Sequence, residues 1–447
     1  MTADRNHRKQ EHSAQKASDQ KLDQRRWLVL VASCLINLCI GSLYAWSVFA
    51  SPLAERLSAG GGAALTAANL AIVFTVANSV GPVTMISGGS INDKLGPKWV
   101  VFAGGLLFGL GLLACGSAGS IPFLIVAYGL GCGLGMGLVY GCTISNSVKF
   151  FPDMRGLIGG IATATYGLSS VLVPPVANAM IGSMGIENTL KILGTVFTAV
   201  ICGAAFFVEK CPDGYAPEAW KQKQSAKMSG GKASWKNEGK SAGMQKNSGT
   251  ADKNWKQMIT DPLFYLMILM LMCGAFSGLM VTSQASPMAQ QIAGMSVGMA
   301  ATAVSVLALF NAAGRVAAGF LSDKFGRINV LTVAFVLEIA GLFCLRTTGE
   351  GDTVKFMAGV SVMGICFGSL MGVYPGFTAD QFGAKNNSVN YGIMFIGFAL
   401  AGVLGPTIVG KIVQTTGSYT NGFYIAGVLA IAGIALTIVY RIKQKGK

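Results

Sequence analysis

Apolar runs long enough to cross a bilayer recur along this 447-residue chain. They fall at 27–50, 68–90, 98–118, 121–146, 155–181 and 189–208, and again at 262–284, 298–320, 328–347, 354–378, 388–412 and 421–440. About 20 apolar residues span the hydrocarbon as a helix, and a helix satisfies its own backbone hydrogen bonds there. The pattern predicts about twelve transmembrane helices. Residues 1–26 are polar and basic, with no small-residue cleavage site after the first apolar run, and predict a cytoplasmic tail rather than a signal peptide. Residues 209–260 are rich in Lys, Ser, Gly, Gln and Asn, a composition that predicts a flexible cytoplasmic linker. The chain therefore divides into a tail, a six-helix bundle at 27–208, the linker, and a second six-helix bundle at 261–447 that ends in a short basic tail.

Composition agrees with this division. Only 12% of residues are charged, about half the share usual in soluble domains, and the mean hydropathy is +0.54. The formal net charge of +15 raises the question of nucleic acid. Its placement answers no, because the cations sit in tails, the linker and inter-helix turns, without the interleaved aromatics of a base-stacking surface. Of the 34 Lys and Arg, only Arg56, Lys191, Arg346, Lys355 and Lys411 fall on one side of the predicted topology. Arg315 lies inside a span, and the rest share the side of both termini. Positively charged loops face the cytoplasm, so both termini are expected there, in a multi-pass protein of the cytoplasmic membrane. The ten cysteines form no CxxC, and the two histidines, His7 and His12, lie in the tail. Thiols in apolar runs read as small packing residues. A histidine-ligated metal site within the membrane is excluded, and no cofactor is implied.

The two halves carry one motif in register. Gly89, Asp93, Lys94 and Gly96 follow the second run; Gly319, Asp323, Lys324, Gly326 and Arg327 follow the eighth, 230 residues later. Both read G-x-x-x-D-K-x-G. The aspartates can accept from the backbone N–H groups of a neighbouring helix and pair with cations; the second glycine of each copy permits a tight turn. Repeats of this kind mark secondary transporters.

The paired motif, the six-plus-six layout and the central linker resemble the major facilitator superfamily, which implies an all-α membrane fold of two six-helix bundles around a central cavity. The run Gly41-Ser42-Leu43-Tyr44-Ala45-Trp46-Ser47 is similar to the first-helix signature of its oxalate/formate antiporter family. The segment Asn146 to Leu157 resembles that family's loop between spans four and five, and Asn311 to Arg315 its eighth helix. Oxalate exchangers of the family carry a lysine in span eleven where this chain has Phe398. The segment looks more like the branch that transports pyruvate or other monocarboxylates, so the resemblance favours a singly charged carboxylate.

Arg315 is the most informative residue. It lies eight residues before Asp323, about 12 Å deeper along a helix, where an Arg costs about 2.5–3.5 kcal/mol or more. A guanidinium there suits a substrate carboxylate; the competing reading is an ion pair with Glu338, which lies at similar depth on span nine. Glu338 is the acidic residue clearly within a span and is the candidate for proton coupling, with packing as the competing reading; the substrate carboxyl and Asp380 are alternative proton carriers. Asn311, one helical turn from Arg315, can orient substrate or Arg315 but carries no proton. Tyr44, Trp46, Tyr140, Tyr166, Tyr374 and Tyr391 are candidate substrate-binding residues. By resemblance Tyr44, Tyr140 and Tyr166 line the N-half of the cavity, and Tyr374 and Tyr391 the C-half; packing or interfacial anchoring is the competing reading. Gly129, Gly133, Gly137 and Gly141 form a small-residue seam along span four.

No P-loop occurs and no Ser/His/Asp set is possible within the spans. The chain is not expected to be an enzyme. The expected function is secondary transport of a small monocarboxylate such as pyruvate or lactate, by proton symport or anion exchange, in a monomer surrounded by lipid. An oxalate/formate-type exchanger, a drug exporter and a non-transporting metabolite sensor are the alternatives.

Overall fold

The computed structural model describes residues 23–59, 65–67, 69–217, 220 and 252–445. Helices carry essentially all of it, and no strand occurs among the described residues. Eleven helices are long and apolar enough to cross a membrane. One of them, Arg155–Ala205, is two helices joined at Gly185, whose φ of 78° and ψ of 165° are not helical. Twelve spans result. Span one is Asp23–Ala59, span two Ala71–Leu95, span three Pro97–Cys115 and span four Ile121–Phe150; spans five and six divide at Gly185. Spans seven to twelve are Pro262–Ala293, Val297–Phe325, Arg327–Arg346, Thr353–Phe382, Asn387–Thr416 and Thr420–Lys445.

Small residues let these helices approach closely. The span-four seam faces span two: a Cβ on Gly133 would lie 2.5 Å from the Ala77 carbonyl oxygen, and one on Gly137 would lie 2.1 Å from that of Gly81. Gly41 opens the 3-10 stretch Gly41–Ala45 inside span one, and a Cβ there would lie 2.2 Å from the Tyr166 carbonyl oxygen of span five. The first-helix signature is thus a point of backbone contact. Span four holds a π-helical segment, Ile125–Cys132; a turn of this kind re-aims side chains, and within it Tyr128 donates its hydroxyl to the Leu43 carbonyl at 2.9 Å.

The two halves meet through two equivalent seams, span two against span eleven and span eight against span five. The motif aspartates close both. Asp93 accepts from the N–H groups of Ser388 and Val389 at 3.4 and 3.1 Å, at the N-terminus of span eleven. Asp323 accepts from those of Gly156 and Leu157, both at 2.8 Å, at the N-terminus of span five. The first-turn N–H groups of a helix have no partner within the helix, so each half caps a helix of the other. The glycines of the motif remove the steric obstacle, since a Cβ on Gly319 would sit 2.2 Å from the Gly156 carbonyl oxygen and one on Gly89 2.8 Å from that of Ser388. Gly96 and Gly326 end spans two and eight at φ 96° and 87°. Cations complete the belt. Lys149 reaches Asp93 at 2.6 Å, Arg327 reaches Asp323 at 2.7 Å, and Asp380 is held by Arg155 at 2.8 Å and Arg327 at 2.9 Å. Lys94 stands in the last turn of span two, and Lys324 lies over the Phe320 ring.

The boundaries drawn from composition shift at three places. The helix of span one starts at Asp23, inside the expected tail, whose residues 1–22 lie outside the described residues. The expected linker is described only at 209–217, 220 and 252–260, and both of its ends are bonded to the bundles rather than free. At one end Asn146 donates to the Glu209 carbonyl and accepts from the Cys211 N–H, while Tyr215 bonds Asp23 and packs on Phe150. At the other end the Lys253 carbonyl accepts from Asn386 and Asn390, ahead of the short helix Trp255–Ile259. Composition alone reports polarity, and these polar residues spend it on backbone groups at the helix ends.

Two outcomes follow. Asp323→Asn weakens two charge-assisted bonds of about 1.5–3 kcal/mol each, so spin labels at the facing ends of spans five and eight should report a longer separation than in the wild type. Burial pushes the Cys211 thiol up to about 12, against the opposing effect of Lys149. A thiol reacts as its thiolate, so Cys211 should resist maleimide at neutral pH, as peptide mapping of labelled protein would show.

Candidate functional site

Arg315 lies at the seam between the halves, on span eight, with a relative exposure of 5%. Its Nε donates to Asn311 Oδ1 at 2.9 Å, and its NH1 donates to the Thr163 carbonyl of span five at 2.7 Å. The bond to Thr163 crosses from one half to the other. The guanidinium lies flat on span five because residue 167 is glycine; a Cβ there would be 3.3 Å from Cζ. Its backbone is just as closely held, since Cβ atoms on Gly160 and Gly372 would lie 2.3 and 2.2 Å from the Arg315 carbonyl oxygen. Spans five, eight and ten therefore fix the residue in place. Among the described residues Arg315 forms no ion pair, with Glu338 or any other carboxylate. A buried cation left without an anion is costly, and here only the dipoles of a carbonyl, an amide and a phenol offset it.

Asn311 completes the arrangement. It is 6% exposed, and because its oxygen faces Arg315, its Nδ2 points elsewhere; that buried donor has no partner. An unmet buried donor costs about 1–3 kcal/mol. A guanidinium without an anion, one helical turn from an amide N–H without an acceptor, is a pair of donors whose geometry a carboxylate would satisfy.

Four of the six candidate aromatics gather here. The Tyr140 hydroxyl lies toward Tyr391 and Arg315, and that of Tyr44 toward Tyr166. The rings are in contact: Tyr44 and Tyr166 at 5.4 Å between centroids, Tyr140 and Tyr166 at 4.8 Å. Trp46 and Tyr374 do not join them. Trp46 packs on Tyr128 at 4.4 Å within the N-half, and Tyr374 donates to the Met267 carbonyl at 2.7 Å within the C-half. Their positions on the inner spans suggested a shared wall, but the helical phase turns both toward their own bundle.

Several participants were not singled out from the sequence. The Thr163 carbonyl is a backbone group and leaves no trace in residue identity. Phe395 bridges Tyr140 and Tyr391 at 5.7 and 5.9 Å, stacks on Phe398 at 4.5 Å, and Phe398 lies parallel to Phe367 at 6.2 Å. The spacing of Tyr391, Phe395 and Phe398 at four and three residues was a readable signal of one aromatic face. Asn37, which donates to the Ala162 carbonyl and accepts from Thr143, braces span five beside the Arg315 contact. Glu338 stands apart, buried against Ser277, Cys273 and Cys366 in the C-half. Two surface hollows of ≈ 240 and ≈ 310 Å³ lie far from this chemistry, one lined by Gln291, Arg346 and Tyr419, the other by Arg25, Phe206 and Glu209.

The sequence profile of the Major Facilitator Superfamily matches residues 27–349 and again 285–447. The chain belongs to this superfamily. The uncharacterized MFS-type transporter YhjX of Escherichia coli is 29% identical over 381 residues, 85% of this chain and 86% of its own. The oxalate:formate antiporter of Oxalobacter formigenes is 26% identical over 414 residues, covering 92% and 90%. Monocarboxylate transporter 12-B of Danio rerio is 25% identical over 366 residues, covering 78% and 74%. Among solved structures, the transporter FucP superposes with a TM-score of 0.66 over 92% of this chain and 98% of its own, at 13% identity, which establishes the shared fold. The protein is a multi-pass membrane transporter of this superfamily, and its fold and relatives are those of transporters rather than enzymes.

The geometry separates the tyrosines gathered at Arg315 from those packed within one bundle. Tyr374→Phe strands the buried Met267 carbonyl and should cost about 1–3 kcal/mol of stability with substrate affinity unchanged. Tyr140→Phe should weaken substrate binding, the readout that Tyr374→Phe leaves unchanged.

Proposed function

We propose that this facilitator moves a small monocarboxylate, pyruvate, lactate or similar, across the cytoplasmic membrane, with Arg315 as the carboxylate anchor. The observation that carries the reading is the unpaired, buried Arg315 guanidinium beside the unpartnered Asn311 Nδ2, at the place where the two bundles meet. Bidentate contact with a planar carboxylate is what a guanidinium does best. Tyr44, Tyr140, Tyr166 and Tyr391 supply apolar walls with hydroxyl donors for the rest of a small ligand. The side that carries the Asp93 and Asp323 belts is the strongly basic one and is assigned to the cytoplasm. The belts hold that side shut, so the state described is closed toward the cytoplasm, and alternating access proceeds by rocking of the halves about the site.

Similarity to both an oxalate:formate antiporter and monocarboxylate transporters leaves two charge classes of substrate to choose between. The aromatic stack supports the single charge. Phe398 sits between Phe367 and Phe395, and a second carboxylate placed against that stack would meet rings instead of a cation. Exchange of oxalate for formate is the second reading, supported by the 26% identity with the antiporter.

Uptake into proteoliposomes tests the anchor. Arg315→Gln should raise the half-saturating concentration of labelled pyruvate about ten- to a hundred-fold, the equivalent of the charged hydrogen bonds lost. Arg315→Lys should fall between, since it keeps the charge and loses the fork. Transport of every carboxylate at the wild-type rate by both variants would rule the anchor out. Phe398→Lys should bring labelled oxalate into the set of transported anions at the expense of pyruvate.

A further inference from the structure

Glu338 is the one carboxyl among the described residues that lies deep within a span with no cation bonded to it. It is 2% exposed, and its Oε1 has no hydrogen-bond partner. Asp93, Asp323 and Asp380 all meet cations at the basic ends of the helices. The side chain leaves span nine toward the interface of spans seven and ten. Ser277 of span seven faces it with a hydroxyl that is also buried and without a formed bond. Cys273 of span seven and Cys366 of span ten are its other titratable neighbours.

No cation approaches from the elements packed on span nine. On span eight, Arg315 is bonded to Asn311 and Thr163, while Asp323 and Lys324 stand at the basic end. On span twelve, Arg441 donates to Thr332 one turn into span nine, Tyr440 bonds Gln381, and Lys443 and Lys445 lie in the last turn. Tyr374 of span ten bonds Met267, and Arg346 of span nine lies over Tyr424 at the far end. An ionised carboxylate sealed in this way has neither water nor a counter-ion to offset its charge. The packing described suits the protonated acid.

The position of Glu338 relative to the binding seam gives this proton a use. Ser277 is followed by Gly278, and Cys366 by Phe367; a Cβ on Gly278 would lie 2.5 Å from the Phe367 ring. Ser277 and Cys366 are electrostatic neighbours of Glu338, and the residue after each takes part in this contact. Phe367 then stacks on Phe398, which stacks on Phe395, in contact with Tyr140 and Tyr391. Spans seven and ten, which carry the neighbours of Glu338, thus also carry the Gly278–Phe367 contact that leads to the aromatic wall of the proposed carboxylate site.

We propose that Glu338 is a proton-binding site that travels loaded with the substrate, so that one proton on its carboxyl accompanies one carboxylate on Arg315. The inference rests on the carboxylate reading above and commits it to electroneutral symport: one negative charge enters at Arg315, one proton neutralises Glu338, and the charge of the membrane interior does not change. Displacement of Phe367 by substrate is the contact through which the two sites sense each other.

Proteoliposomes loaded with labelled pyruvate test this. With a gradient of about one pH unit, wild type should accumulate pyruvate about tenfold, the ratio equivalent to that gradient. Glu338→Gln should accumulate none, yet exchange internal for external pyruvate at close to the wild-type rate; Glu338→Asp should keep part of the accumulation. Uphill accumulation by Glu338→Gln overturns the proposal, as does loss of both modes by a variant with an unchanged thermal unfolding midpoint. A second measurement needs neither substrate nor variant. Dicyclohexylcarbodiimide modifies protonated carboxyls in apolar surroundings, and mass mapping of the wild type should find the adduct on Glu338; absence of the adduct overturns the proposal. If wild type exchanges no carboxylate, the assignment of Arg315 fails, while the adduct still decides the proton site.

Discussion

The structure depends on a reciprocal exchange of helix caps. The N–H groups that open span eleven are satisfied by Asp93 of the opposite half, and those that open span five by Asp323. A carboxylate at a helix N-terminus meets both unpaired donors and the positive end of the helix dipole. Because neither bundle can complete these helices alone, closure of the basic side is a bonded state and not merely a shape. The glycines at 89, 156 and 319 exist for that contact, and the cations Lys149, Arg155 and Arg327 tune its strength.

The same closure sets the conditions at Arg315. About two turns above Asp323, spans five and eight are still in contact through Gly160, so the guanidinium is pressed into a region with little water. Electrostatic interactions strengthen as the local dielectric falls. The tight seam therefore isolates the charge and would strengthen its attraction for an anion, and the surrounding phenols temper the cost of burying it.

Much of this was legible in the sequence, for identifiable reasons. The spans follow from runs of apolar residues, and the duplicated G-x-x-x-D-K-x-G marks where the halves are equivalent. Arg315 stands out because a cation in an apolar helix has few explanations. Other features left weaker traces. Trp46 and Tyr374 share composition and depth with the site tyrosines, and only helical phase, altered by the 3-10 turn at Gly41–Ala45, sends Trp46 to Tyr128. The ends of the expected linker gave the same polar signature as a free segment, although their polar atoms are bonded to Asn146, Asn386 and Asn390. The apolar runs end at 181 and resume at 189, which brackets the break, but one glycine among many does not announce the positive φ of Gly185.

The acceptor that crosses to Arg315 is the carbonyl oxygen of residue 163. Every amino acid carries that oxygen. The hydroxyl of Thr163 is occupied with its own helix, donating to the Gly159 carbonyl at 2.8 Å. Exchange of this threonine for another small residue therefore leaves the cross-bundle bond in place. A search for functional positions by scanning side chains would pass over it in silence, and so would a comparison of residue identities among relatives.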